Sequence, residues 1–127
     1  MGSYVRDESR RKIVSLLERR DIPLIEDDVY GDLYFTEKRG TPTQCYSKKG
    51  LVLTCSSFSK TVAPGYRVGR LVSEKYGEKA LQFKRAFSCS SSLLSQRTLS
   101  EFITSREYDR SIQNLRQICI AIKIVWL

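Results

Sequence analysis

The chain has 127 residues, 41% of them hydrophobic, with 22 Lys and Arg against 14 Asp and Glu and a formal net charge of +8. That length fits one domain or part of one, and that apolar share excludes a disordered chain. The sequence holds no histidine, which excludes a Ser-His-Asp triad and a Cys-His pair within it; its cysteines, at 45, 55, 89 and 119, match no zinc spacing.

Asp7 and Glu8 open a helix that Arg19 and Arg20 close. Acids at the start and bases at the end suit the helix dipole. Its apolar face reads as Ile13, Leu16 and Leu17. Pro23 stops the helix, and Pro23-Leu24-Ile25 begins a short strand that turns polar at Glu26-Asp27-Asp28. Carboxylates at the C-terminal end of a buried strand are where open α/β sheets place their sites. Residues 36–50 read as a loop, with Gly40, Pro42 and Gly50. Leu51 to Cys55 reads as a second buried strand, Ser56 to Gly65 as a turn-rich segment, and Val68 to Val72 as a third strand. Helices are predicted over about 74–87, 92–105 and 108–127. This order predicts an α/β fold with a largely buried sheet.

No signal peptide is read at the N-terminus. The longest apolar run, Ile118 to Leu127, is interrupted by Lys123 and falls short of the ~20 residues of a membrane span. The expectation is a cytoplasmic chain that meets no membrane, with reduced and mostly buried cysteines. The basic residues, Arg10, Arg11, Lys12, Arg19, Arg20, Lys48, Lys49, Lys84 and Arg85 among them, are scattered beside acids. They form no stripe with interleaved aromatics, so this segment is expected to bind no nucleic acid. With no metal-ligand spacing, no metal is expected either.

Two segments carry chemistry: Glu26-Asp27-Asp28-Val29-Tyr30-Gly31-Asp32-Leu33 and Ser56-Ser57-Phe58-Ser59-Lys60-Thr61-Val62-Ala63-Pro64-Gly65-Tyr66-Arg67-Val68-Gly69. A pyridoxal-phosphate site needs an amine for a Schiff base, which among side chains only lysine supplies. It needs a carboxylate to keep the pyridine nitrogen protonated, a hydroxyl beside the ring oxygen, and hydroxyls with a guanidinium for the phosphate. Lys60, Asp27, Tyr30, Ser57, Ser59 and Arg67 are that set of groups, each near the end of a predicted strand.

The order Asp-x-x-Tyr, then Ser-x-Ser-Lys with an arginine shortly beyond, resembles the fold-type I aminotransferases of class I and II. The fuller wording is similar to the aminotransferase-like domain of MocR-type regulators of the GntR family, and to free-standing aminoadipate-type aminotransferases, over roughly residues 2–110. The resemblance implies part of the large PLP-binding domain, an incomplete three-layer α/β sandwich, over 1–107, with the small C-terminal domain beginning at 108–127. It implies that Lys60 is the Schiff-base lysine and proton-shuttling base, and that Asp27 partners the pyridine nitrogen. It also implies that Tyr30 sits near the ring oxygen, and that Ser57, Arg67 and Ser59 hold the phosphate. The implied cofactor is pyridoxal 5'-phosphate. The implied activity is amino-group exchange between an amino acid and a 2-oxo acid, in a protein that is a homodimer when intact.

Several family features are not matched. The family's Asn-Pro-x-Gly turn is here only Met1-Gly2, and its upstream phosphate loop, ring-stacking aromatic and later substrate-binding arginine have no counterpart. From Ile118 the resemblance ends. The expectation is a piece of a longer protein, inactive alone. An effector or PLP-sensing role within a MocR-type regulator is the main alternative. Ser57-Phe58-Ser59-Lys60 also satisfies Ser-x-x-Lys, an acylating motif that wants its serine at a helix N-terminus and a Lys-Thr-Gly element; the sequence has no Lys-Thr-Gly. Glu26 reads as structural, and Asp28 and Asp32 as solvated or capping. Tyr34, Phe35, Phe83 and Phe87 read as core or subunit-contact residues.

Overall fold

The computed structural model describes the backbone of residues 5–88 and 90–125. Its elements are α1 (Asp7–Arg19), β1 (Leu24–Asp27), β2 (Val52–Ser57), β3 (Gly69–Ser73), α2 (Gly77–Ser88), α3 (Leu93–Thr104) and α4 (Glu107–Val125), with short 3-10 turns at Thr43–Tyr46 and Pro64–Tyr66. Each element predicted from the sequence is present, within a few residues of its expected ends. The last two residues of the predicted final helix, and Cys89, lie outside the described residues.

The three strands form one sheet in the order β1-β2-β3. β1 and β2 are parallel, with Leu24 opposite Val52 and Asp27 opposite Cys55. β3 runs the other way. Its leading end pairs near the far end of β2, where Phe58 N–H donates to Val68 C=O at 3.1 Å, and its trailing end returns to the start of β2, where Lys75 N–H donates to Gly50 C=O at 3.4 Å. The sheet is therefore mixed. It is not the largely buried sheet expected: β1 alternates half-buried and exposed, and β3 is exposed from Gly69 to Val72. A short sheet with an antiparallel edge strand leaves surface that a helix-covered parallel sheet would bury.

The chain divides into two compact units. The first comprises residues 1–28, 40–55 and 70–89, the second 29–39, 56–69 and 90–127. The core of the first is Val14, Leu51 and Val52, each 2% exposed or less. α1 was expected to bury Ile13, Leu16 and Leu17, but Ile13 and Leu16 are exposed and Val14 and Glu18 are the buried pair. Val14 and Glu18 stand one helical turn apart on one face, and the Thr43–Tyr46 turn packs on this helix. The periodicity was right and the covered stripe lay one residue over.

Glu18 carries a charge inside this unit, and its acceptors are used. Oε1 accepts from Ser47 Oγ, Lys48 N and Lys49 N, each at 2.8 Å, while its carbonyl accepts from Lys49 Nζ at 2.7 Å. The Lys49 backbone bond, followed by those from Ser47 and Lys48, holds the carboxyl below its ordinary value against the opposing effect of burial. Glu26 is an acceptor for a second set of donors in the same unit. It accepts from Thr43 N at 3.1 Å, from the Thr43 hydroxyl, from Thr54 Oγ1 at 3.2 Å and from Arg10 at 3.4 Å, a structural role as expected.

In the second unit α3 packs on α4, with Leu99 and Ile112 buried. Ser92 caps α3 by accepting from Ser95 N. The cysteine expectation needs correction: Cys45 is exposed and Cys55 and Cys119 are half-buried, all three with free thiols. Phe35, Phe83 and Phe87 are exposed, so of the two roles read for them, core or subunit contact, the core role does not hold. Among the described residues, no helix is long and apolar enough to cross a membrane.

Candidate functional site

β2 ends at Ser57, and the chain turns at once. Phe58 closes that turn through both of its backbone groups: its N–H donates to Val68 C=O, and its C=O accepts from Val62 N at 2.9 Å and Ala63 N at 3.2 Å. Ser57 Oγ accepts from Ser59 N at 3.4 Å. Ser59, Lys60 and Thr61 are thereby held in a loop pinned at each side. The Lys60 side chain points to solvent, with Nζ 5.8 Å from the centroid of the Tyr30 ring, a cation–π distance. Tyr30 is itself exposed.

Arg67 follows the Pro64–Tyr66 turn with φ 52°, a left-handed backbone. For a residue with a Cβ this costs about 1–2 kcal/mol, and such strain is found where the surroundings dictate the path. The path here is dictated two residues on. A Cβ at Gly69 would stand 2.9 Å from Ser56 O and 3.5 Å from Ser57 Cβ, so only glycine lets β3 start this close to the end of β2. Val68, bonded to Phe58, places Arg67 beside the Ser57-to-Lys60 turn.

Asp27 belongs to the first unit. It is the last residue of β1, in register with Cys55, and its side chain is exposed. With Arg10, Glu26 and Thr43 it lines a cavity of about 270 Å³. The structure thus brings five of the six candidates, Tyr30, Ser57, Ser59, Lys60 and Arg67, into one unit, with Lys60 set over Tyr30, and sets Asp27 at a strand end in the other. Ser57 closes a strand and opens no helix, so the geometry needed for a Ser-x-x-Lys acyl enzyme is not there. Among the described residues no three His, Cys, Asp or Glu side chains gather as metal ligands.

Sequence reasoning left Asp32 without a role. In the structure its carboxylate accepts from Tyr108 Oη at 3.0 Å and pairs with Arg39, and its carbonyl accepts from Arg116 Nε at 2.7 Å. Arg116 in turn lies 4.0 Å over the Tyr34 ring. No local pattern could have shown this, since Tyr108 and Arg116 lie 76 and 84 residues further along.

The family model described as aminotransferase class I and II matches residues 1–122. The chain belongs to that family. Two curated relatives are named as regulators. The HTH-type transcriptional regulator NorG of Staphylococcus aureus (strain USA300) is 37% identical over 119 residues, which are 92% of this chain and 26% of that protein. The HTH-type transcriptional regulator YjiR of Escherichia coli (strain K12) is 37% identical over 118 residues, 93% of this chain and 25% of that one. The chain therefore spans about a quarter of the length of these relatives. Among solved structures it is similar to LysN, the alpha-aminoadipate aminotransferase of Thermus thermophilus, complexed with N-(5'-phosphopyridoxyl)-L-leucine. The TM-score is 0.84 with 24% identity, over 92% of this chain and 31% of that one. The kynurenine aminotransferase of Pyrococcus horikoshii gives a TM-score of 0.84 with 21% identity, over 91% of this chain and 29% of that one. These likenesses establish the fold: a partial α/β domain of the aminotransferase kind.

Proposed function

We propose that this chain is the pyridoxal-phosphate-binding segment of an aminotransferase-type protein, with Lys60 as the residue that attaches the cofactor. The observation that carries the reading is the Lys60 turn, an exposed amine at the end of a strand, hydrogen-bonded shut on either side, in a chain of the aminotransferase class I and II family. The donor set suits the group. An exposed amine can meet an aldehyde, and two serine hydroxyls with a guanidinium supply donors for a phosphate. When bound, the cofactor supplies the aldehyde and a ring that withdraws electrons from the reacting carbon.

Each residue then has its own task. Lys60 Nζ would hold the cofactor through its aldehyde and, as an amine, would carry a proton to and from the reacting carbon. Asp27 keeps the ring nitrogen protonated by its negative charge. The Tyr30 hydroxyl donates toward the ring oxygen. Ser57 and Ser59 donate to the phosphate, and Arg67 adds a charged fork. Residues 1–107 are part of the large cofactor domain in this reading, and 108–127 open the smaller one. The whole protein is a cytoplasmic homodimer that exchanges amino groups between an amino acid and a 2-oxo acid.

A second reading is favoured by one observation: relatives 37% identical to the chain are named HTH-type transcriptional regulators. On that reading the whole protein is a MocR-type regulator of the GntR family, and the same lysine segment serves a domain that senses the cofactor or an amino acid. An upstream winged-helix segment in the same reading frame supports it, and its absence from the complete gene counts against it. The cofactor claim is common to both. Titrating pyridoxal phosphate into the chain while recording visible absorbance tests it. A saturable band that the Lys60→Ala variant lacks is expected, and a wild-type chain without one contradicts the proposal.

A further inference from the structure

Five side chains of the second unit, Phe58, Phe102, Tyr108, Asp32 and Arg39, are linked through contacts that the proposed function does not use. Phe58, whose backbone shuts the Lys60 turn, meets the Tyr108 ring in a T-shaped contact, with centroids 6.1 Å apart and planes at 79°. Phe102 of α3 meets Tyr108 in the same way, at 6.1 Å and 89°. Edge-to-face pairs at this distance are favourable and directional, so the Tyr108 ring has a defined seat between two phenylalanines. Its hydroxyl reaches Asp32 Oδ2 at 3.0 Å. Asp32 lies two residues beyond Tyr30, and the Tyr30 ring lies 5.8 Å from Lys60 Nζ. The contacts run from the Lys60 turn to Asp32, and the backbone between Asp32 and Tyr30 carries the path back to the Tyr30 ring beside Lys60.

The link through Asp32 is firm at that point. A hydroxyl on a carboxylate makes a charge-assisted bond. Asp32 is fixed further by its ion pair with Arg39 and by the bond from Arg116 Nε to its carbonyl. The weak link is the one between Lys60 and Tyr30, two exposed side chains on separate surface turns. A site on loops keeps its geometry only where supporting residues lock those loops.

We propose that Tyr108, acting through Asp32, is a positioning residue for the Lys60 amine. It ties the Tyr30-bearing turn to the Lys60-bearing turn and so sets the surroundings of Nζ without touching it. The meaning of this tie for cofactor chemistry rests on the proposed role of Lys60; the positioning itself does not. Tyr108 stands on the first turn of α4, in the segment assigned above to the smaller domain, so this contact would report the state of that segment to the lysine.

The test uses the 127-residue chain without cofactor. Lysines are acetylated with a limiting reagent at several pH values, and the rate at Lys60 is expressed relative to Lys12, an exposed lysine of α1. Tyr108→Phe keeps the ring between Phe58 and Phe102 and removes only the hydroxyl; Asp32→Asn removes the charge that receives it. In both variants the Lys60-to-Lys12 ratio should change by about threefold or more, within the range that loss of one hydrogen bond gives, with the far-UV spectrum unchanged. A merely stabilising role would alter unfolding and leave the ratio alone. A ratio that moves by less than this in both variants overturns the proposal. If the wild-type chain forms no adduct with pyridoxal phosphate on Lys60, the proposed function fails while the ratio still decides the positioning claim.

Discussion

Two acidic side chains, one in each unit, show how the same chemistry is spent differently. Glu18 sits buried on α1 and its carboxylate is taken up by a hydroxyl and two backbone N–H groups of the Ser47–Lys49 loop. Asp32 is half-buried, on a turn, and its carboxylate is taken up by the side chains of Tyr108 and Arg39. The first arrangement gives a buried carboxylate its partners, and its value is stability. The second fixes one side chain relative to another beside an exposed lysine, and its value is placement. In the first unit Glu18 and Glu26 spend their acceptors in holding the loop between Thr43 and Lys49. The second presents Lys60, Tyr30 and Arg67 at the surface. An acid's neighbours, more than its type, tell which service it performs.

The comparison can be broken first at its extreme. Lys60→Ala should abolish the saturable cofactor band altogether while leaving the urea midpoint unchanged; a large loss of stability would put Lys60 among the structural residues. Glu18→Ala should do the reverse. Loss of partners for Ser47, Lys48 and Lys49 should cost about 2–4 kcal/mol of unfolding free energy, read from urea denaturation, and cofactor affinity of the folded fraction should hold. Asp27→Ala should weaken cofactor binding about 10- to 100-fold, the loss of one charge-assisted contact, measured by the same absorbance titration, with little change in unfolding.

Acid sharpens the contrast further. The Glu18 carboxyl titrates below its ordinary value of 4.5 in the folded chain. Its contribution to stability is therefore fully present above that ordinary value and is lost as pH falls through the lower folded one. Unfolding midpoints measured from pH 6 down to pH 3, about the span over which carboxylates protonate, should fall more steeply for the wild-type chain than for Glu18→Gln. The smallest effect belongs to Lys12→Ala. Its partner Glu8 lies at 2.6 Å, but both side chains are more than three-quarters exposed, and such a pair is worth about 0.5 kcal/mol or less.

Much of the fold was legible because its signals are local. Acids and bases at the two ends of α1, Pro23 after it, and the apolar runs of β1 and β2 each act within a few residues. The candidate site was legible for a different reason: its groups cluster in two short segments whose order matches a family. What was not legible depends on which surfaces meet. Periodicity reads Ile13, Leu16 and Leu17 as the face of α1 but does not say that the fold will bury Val14 and Glu18 and leave Ile13 and Leu16 outside. A largely buried sheet was expected, and β3 is an exposed edge strand that runs antiparallel to β2. Asp32 looked solvated because Tyr108 and Arg116 are distant in sequence and near in space.

The most direct test of the central claim is to add pyridoxal phosphate to the chain, reduce with borohydride, digest, and map the phosphopyridoxyl group by mass spectrometry. The account predicts a single dominant adduct on Lys60 that saturates with cofactor concentration. Adducts spread over Lys12, Lys48, Lys79 and other surface lysines, with Lys60 no more modified than they are, would contradict it.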